Sequence, residues 1–131
     1  MPFIFQRATF RYNPLPMASQ NMQIASSAGA RDGQRILRLK GPLNIHTIFE
    51  FQAAVRSDTS PLLIVDFSEV PFIDSSGLGA LVSAHLAAQK ANRKLALAAM
   101  NAQVQALLDM TNVRQFFRAY PTIEDAEAAS V

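Results

Sequence analysis

The segment Leu62 to Phe67 constrains the fold of this chain more than any other, because it is apolar on both faces of a strand. Only Asp66 interrupts the run. A strand without a polar face must be covered on both sides, which is typical of the parallel strands of α/β folds. Helical patterns precede and follow it, so the segment predicts a central strand between layers of helices.

Further segments with strand or helix periodicity alternate along the chain. Met22 to Ala25 and Arg35 to Lys40 alternate in polarity and predict a hairpin before the first helix. Lys94 to Met100 and Phe116 to Tyr120 predict two more strands, each followed by a helical segment. The expected order is β-β-α-β-α-β-α-β-α. We therefore expect one α/β domain with a mixed sheet of four to five strands and about four helices.

The first two helices carry specific predictions. Thr47, with Glu50 three residues later, has the pattern of a capping box at the start of the first helix. The second helix is expected from about Ser76 to Ala91, and its buried stripe is predicted to contain Leu78, Leu81, Val82, His85 and Leu86. Because His85 falls on this stripe, we expect it to be a partly buried packing residue.

Composition excludes several classes of protein. A length of 131 residues indicates one domain, and the absence of cysteine excludes disulfides and is compatible with a reducing cytoplasm. No apolar run approaches the length of a bilayer span, so membrane insertion is not expected. Three of the 12 lysines and arginines lie in the first 31 residues, where no acid occurs, which leaves 9 basic and 10 acidic side chains beyond them. That balance predicts no nucleic-acid binding.

Residues 1–20 differ from the rest of the chain. Pro14 and Pro16 break any amphipathic helix there, and the apolar start is too short for the core of a signal peptide. We expect a flexible N-terminal arm, or a start codon assigned too early with Met17 or Met22 as the true start; a targeting peptide is the alternative. The folded domain is expected over residues 21–131.

The run Asp74-Ser75-Ser76-Gly77 places two hydroxyls beside a carboxylate between the central strand and the second helix. A helix start presents free backbone N–H groups and the positive end of the helix dipole, so a serine there is well suited to carry a phosphate. Ordinary helix capping would also favour Asp and Ser at this junction. The buried strand before the run, and glycines that keep the backbone accessible, favour a phosphorylation switch.

Three segments carry a family resemblance that extends from about Met22 to Ala129. The run Phe72-Ile73-Asp74-Ser75-Ser76-Gly77-Leu78-Gly79 resembles the phosphoacceptor motif of the STAS domains, the family of bacterial anti-sigma factor antagonists. Leu107 to Val113 resembles the leucine-rich end of the family's third helix, with asparagine in place of the usual glycine. Gly41-Pro42-Leu43-Asn44 resembles a loop often written Gly-Glu-Leu-Asp, but it lacks both carboxylates.

The resemblance implies a cytoplasmic binding protein rather than an enzyme, with no cofactor. Its unmodified form is expected to bind an anti-sigma factor of the serine-kinase type and so release a sigma factor. Phosphorylation of Ser75 would switch binding off, and a phosphatase would restore it. The implied partner-binding residues are Asn44, His46, Thr47, Asp74, Ser76, Gly77 and Leu78.

The missing carboxylates leave a second interpretation open. The same domain could be a STAS scaffold subunit of a transporter or signalling complex that is never phosphorylated. The oligomeric state is also left open, since a mixed sheet with a free edge could pair with another copy.

Two catalytic alternatives fit the sequence less well. Gly77-Leu78-Gly79 opens a helix as a dinucleotide-binding fingerprint does, but Val82 stands where the third glycine belongs and no acid follows at the expected distance. A serine hydrolase would need His46 to activate Ser75, yet Ile73 occupies the place of the leading glycine of a nucleophile elbow. His46 is therefore expected to be a surface-loop residue, and two histidines far apart predict no metal site.

Overall fold

The computed structural model describes residues 21–129, and within them strands and helices alternate in the predicted order. The elements are β1 Gln23–Ala28, β2 Gln34–Lys40, α1 Ile48–Ser57, β3 Leu62–Glu69, α2 Ser75–Lys90, β4 Lys94–Ala98, α3 Ala102–Met110, β5 Arg118–Tyr120 and α4 Ile123–Ala129. A single 3-10 turn, Arg114–Phe116, precedes β5, so the strand begins at Arg118 rather than at the predicted Phe116. The fold class is confirmed, whereas the predicted N-terminal arm lies outside the described residues.

One five-stranded sheet, in the order β1-β2-β3-β4-β5, organises the domain. β1 is antiparallel to β2, and the other neighbours are parallel, so the sheet is mixed as predicted. β3 is the central strand, and its first six residues are all buried. Because β2 to β5 are parallel, their carboxyl ends lie at one edge of the sheet, where the loops that follow β2 and β3 meet.

The two faces of the sheet are covered by different helices. α1, α2 and α3 contribute to the larger core, whose buried members include Leu37, Leu39, Phe51, Val65, Leu81, Leu97 and Leu108. α4 covers the other face, where Ala126 packs in a smaller cluster with Ile36, Leu62, Ile64, Ala96 and Ala98. Successive residues of β3 thus point into opposite cores, which explains why the strand has no polar face.

The buried face of α2 is made mainly of small residues, and this differs in part from the prediction. Gly77, Ala80, Leu81, Ala84 and Ala88 are buried, and Leu78 and Val82 pack partly against the core. The prediction for Leu86 is wrong: that side chain is 52% exposed. Alanines bring the helix close to the sheet, so the buried stripe follows the small side chains. The expectation for His85 is confirmed, since it is partly buried with its ring 5.3 Å from that of Phe117.

The predicted capping box at the start of α1 is also wrong. Thr47 is the N-cap residue, but its side chain accepts no hydrogen bond from the amides of the first turn. Its hydroxyl instead donates to the carbonyl oxygen of Pro42 at 2.8 Å and accepts from the backbone N–H of Asn44 at 3.0 Å. The hydroxyl therefore holds the preceding loop together.

Within residues 21–129, no helix combines the length and the apolar character needed to cross a bilayer.

Candidate functional site

Ser75 is the first residue of α2, and its side chain is exposed. The helix begins there because Asp74 has extended backbone angles and its Oδ1 accepts from the backbone N–H of Gly77 at 2.8 Å. The first helical bond runs from Leu78 N to Asp74 O, so the N–H groups of Ser75 and Ser76 have no acceptor within the helix. The Ser75 hydroxyl thus stands at the electropositive end of α2, within reach of another protein.

The loop after β2 is joined to this helix start. The backbone N–H of Leu43 donates to Phe72 O, and that of Asp74 donates to Leu43 O, each at 3.2 Å. The second carboxylate oxygen of Asp74 accepts from the backbone N–H of Ile45 at 3.3 Å. One carboxylate therefore caps the helix and fixes the neighbouring loop beside Ser75.

Gly77 allows the loop and the helix to approach closely. A methyl group on Gly77 would overlap the carbonyl oxygen of Leu43, whereas one on Gly79 would have no neighbour within 4 Å. Because Leu43 covers the Gly77 backbone, this glycine serves packing between loop and helix rather than close approach of a nucleotide.

The interior of the same loop is held by polar side chains. Thr47 is fully buried, Asn44 is nearly so, and the Asn44 side-chain oxygen accepts from the backbone N–H of His46 at 2.9 Å. Pro42 is also buried. The two positions at which the family loop often has carboxylates therefore point inward in this chain.

The structure brings the seven predicted partner-binding residues to one edge of the sheet, but it does not expose them equally. His46 is exposed, and three others are partly buried: Asp74, Ser76 and Leu78. The remaining three are buried: Asn44, Thr47 and Gly77. The buried residues can determine the shape of this surface, but their side chains are not accessible to a partner. Contact with a partner stays a prediction for all seven.

Three exposed apolar side chains near Ser75 were missed by the sequence analysis. Ile45, Phe49 and Phe72, here called the apolar rim, are 52%, 71% and 45% exposed. Ile45 donates its backbone N–H to Asp74, Phe72 lies two residues before Asp74, and Phe49 lies in the first turn of α1. Large apolar side chains exposed beside one loop junction make that surface a candidate for protein contacts. The sequence offers one signal for this surface, because Phe49 lies on α1 outside its buried residues Phe51 and Val55.

The two segments that carry the rim contain only acidic charges, although exposed Lys40, directly before the first of them, pairs with Glu69. Segments 41–50 and 70–83 contain Glu50 and Asp74 and no lysine or arginine. A phosphate on Ser75 would add further negative charge to this surface.

The described residues contain neither a hydrogen bond between His46 and Ser75 nor a cluster of metal-binding type at the site. The His46 imidazole forms no hydrogen bond with Ser75 or a carboxylate there. Within the same residues, no three side chains of metal-binding type come together.

Comparison with known proteins places this geometry in a family. The STAS domain model matches residues 25–126. A candidate anti-sigma factor antagonist of Thermotoga maritima shares 24% identity over 81% of this chain and 92% of its own, with a TM-score of 0.75. The anti-sigma factor antagonist SpoIIAA, solved in its unphosphorylated form, shares 17% identity over 82% and 95%, with a TM-score of 0.63.

A transporter has a similar domain. Murine Solute Carrier 26 family member A9, an anion transporter, shares 21% identity over 86% of this chain and 22% of its own, with a TM-score of 0.69. At these identities the structural matches support the fold alone. The family model, however, covers most of the chain, and the sheet order and the strand-to-helix junction at Asp74 and Ser75 agree with the sequence resemblance. The chain belongs to the STAS domain family.

Proposed function

We propose that this protein is a cytoplasmic anti-sigma factor antagonist that is switched by phosphorylation of Ser75. The unmodified domain binds an anti-sigma factor of the serine-kinase type and releases a sigma factor. The kinase then transfers a phosphoryl group to the Ser75 hydroxyl, the complex weakens, and a phosphatase restores binding. The observation that carries this proposal is the exposed hydroxyl of Ser75 at the start of α2, close to the apolar rim.

Two comparisons support the proposal. The family match includes the whole segment around Ser75. One structural neighbour is an anti-sigma factor antagonist whose unphosphorylated form has been solved, so a phosphorylated form of that protein is implied.

The mechanism of the switch is electrostatic. A phosphate brings about −1.5 to −2 charges. Within the domain itself, the free N–H groups and the dipole of α2 stabilise the phosphate by about 0.3–1 kcal/mol. Asp74 adds negative charge on the same surface. A partner that packs on the apolar rim would bury the phosphate or place it near negative charge. Both are unfavourable, so the affinity of the partner for the domain should fall.

Charge and neutral substitutions of Ser75 test the switch. We expect Ser75→Asp to bind purified serine-kinase anti-sigma factors of the source organism at least about tenfold more weakly, because like charges placed in an interface cost several kcal/mol. Ser75→Ala should bind as the unmodified protein does and resist inactivation by the kinase with ATP. Affinity is measured by titration calorimetry.

Ser83→Asp is the matched control, because Ser83 is exposed on α2 two turns beyond Ser75. It should bind like the wild type. Equal affinities for Ser75→Asp and Ser75→Ala would contradict the proposal.

A scaffold subunit is the second candidate function. The similarity to the domain of an anion transporter favours it, and so does the absence of carboxylates at Pro42 and Asn44. This candidate expects no phosphate on Ser75 in protein isolated from its own cells. Intact-mass analysis before and after phosphatase treatment separates the two functions.

A further inference from the structure

A cavity of about 630 Å³ lies between the hairpin of β1 and β2 and the helix α1, on the side of the sheet that faces the larger core. Its volume is typical of sites that bind small ligands. The strands contribute an apolar lining of Ile24, Leu37 and Leu63, whereas α1 and the loop that follows it contribute polar residues. No residue of the apolar rim lines the cavity, so it is separate from the surface beside Ser75.

Arg35 brings a positive charge into this cavity from β2. The residue is partly buried, and its Nη2 donates to the hydroxyl of Ser26 at 2.7 Å. Within residues 21–129 the guanidinium forms no other hydrogen bond and no ion pair. A guanidinium has several N–H donors and can hold a carboxylate through paired hydrogen bonds. Most donors of Arg35 are therefore available to an anion that enters the cavity.

Two carboxylates line the same cavity, and they differ in how their charge is compensated. Asp58 lies 3.3 Å from the guanidinium of Arg93 and accepts from the Ser60 hydroxyl at 2.7 Å. Glu50 lies in the first turn of α1, and its side chain forms neither a hydrogen bond nor an ion pair with any residue of the described domain. One negative charge in the cavity is therefore without a partner among residues 21–129.

The two uncompensated charges have opposite signs and line one cavity without pairing with each other. Arg35 lies on a strand, whereas Glu50 lies on the helix that packs beside the sheet. A charge that is partly removed from water is stabilised by a partner of opposite sign. A molecule that carries both charges would compensate both side chains at once, and the apolar lining favours an aliphatic group on the same molecule. A ligand with a single charge would leave one side chain uncompensated.

We propose that this cavity binds a small zwitterion of the α-amino acid type, with its carboxylate on Arg35 and its ammonium group at Glu50. The aliphatic side chain of the ligand lies against the apolar lining of Ile24, Leu37 and Leu63. The site shares no residue with the surface around Ser75, so it adds small-molecule binding to the proposed function and does not depend on it.

Titration of the unmodified full chain with L-leucine, followed by nuclear magnetic resonance, tests the site. At millimolar concentration L-leucine should shift the backbone amide signals of Ser26, Leu37 and Ala54, which line the cavity. The signals of Leu86 and Phe116, exposed apolar residues elsewhere, should not move. L-leucine methyl ester lacks the carboxylate and isocaproate lacks the ammonium group, so each should bind at least about tenfold more weakly. No shift with L-leucine, or an analogue that binds as tightly, would overturn the proposal.

Neutral substitutions of the two charged residues complete the test. Arg35→Gln and Glu50→Gln should each weaken binding of L-leucine at least about tenfold. Arg31→Gln, in the same hairpin, and Glu124→Gln, in the first turn of α4, are the matched controls, because both residues are exposed and neither lines the cavity. Both controls should bind like the wild type.

Glu50→Gln carries the test if Arg35→Gln fails to fold, since the Glu50 side chain has no bond within the described domain to lose. Wild-type affinity of Glu50→Gln for L-leucine would refute the proposal. None of these variants changes the surface around Ser75, so either result leaves the phosphorylation switch to its own test.

Discussion

Position 77 accepts only glycine because the Leu43 carbonyl oxygen lies where a side chain would begin. We expect Gly77→Ala to lower the free energy of unfolding by about 1–3 kcal/mol, since the loop or the helix must shift. Gly79→Ala is the matched control on the same helix, where the space is open. It should raise stability by about 0.5–1 kcal/mol through helix propensity. Urea unfolding measures both, and changes of the same sign and size would refute this account of Gly77.

Asp74 is predicted to stabilise the site through its two hydrogen bonds. Asp74→Ala removes the bonds to the N–H groups of Gly77 and Ile45 and should cost about 1–2 kcal/mol of unfolding free energy. Asp74→Asn keeps an oxygen that can cap the helix, so it should cost less than half as much. A wild-type stability for Asp74→Ala in the same urea titration would contradict the capping role.

Single residues show where sequence reasoning works and where it fails. A helix cap at Asp74 can be predicted from the sequence because Asp74 and the Gly77 amide that it accepts from are only three positions apart. Thr47 has an equally good local pattern with Glu50, yet its hydroxyl bonds to Pro42, because the loop fold offers a buried carbonyl. Exposure at Ile45 and Phe72 depends on how two loops meet, which no local pattern encodes.

At the scale of elements, α4 packs on one face of the sheet, against β3, β4 and β5. Ala126 is its fully buried contact with the cluster around Ile64, whereas Ala128 on the same helix is exposed. We expect Ala126→Asp to lower the free energy of unfolding by about 2 kcal/mol or more, because it buries an unpaired charge. Ala128→Asp should change it by less than about 0.5 kcal/mol. Equal stabilities in thermal or urea unfolding would contradict the packing of α4.

Element order was predictable because strand and helix periods differ along the chain, and the all-apolar run of β3 identifies a central strand. The inner face of α2 was harder to predict. Ala80, Ala84 and Ala88 are buried while Leu86 is exposed, since close approach to the sheet favours small residues over large ones. Hydrophobicity alone ranks these positions in the opposite order.

The whole molecule explains why the candidate site lies where it does. Parallel pairing of β2 with β3 brings the loop after each strand to one edge, and Leu43 and Ile73 form a bridge between those loops. The sequence could relate these loops through the family resemblance and through the clustering of loops at the ends of parallel strands, although they are far apart along the chain. The apolar rim and the free helix end arise from that pairing, so the proposed function is a property of the assembled fold.

Phosphate occupancy of Ser75 in bound and free protein tests the central claim most directly. The protein would be isolated from its own cells as two pools, one copurifying with an anti-sigma factor and one free, and the phosphorylated residue would be mapped by mass spectrometry. The account predicts phosphate on Ser75 in the free pool and unmodified Ser75 in the bound pool. Equal occupancy in both pools, or no phosphate on Ser75 in either, would contradict it.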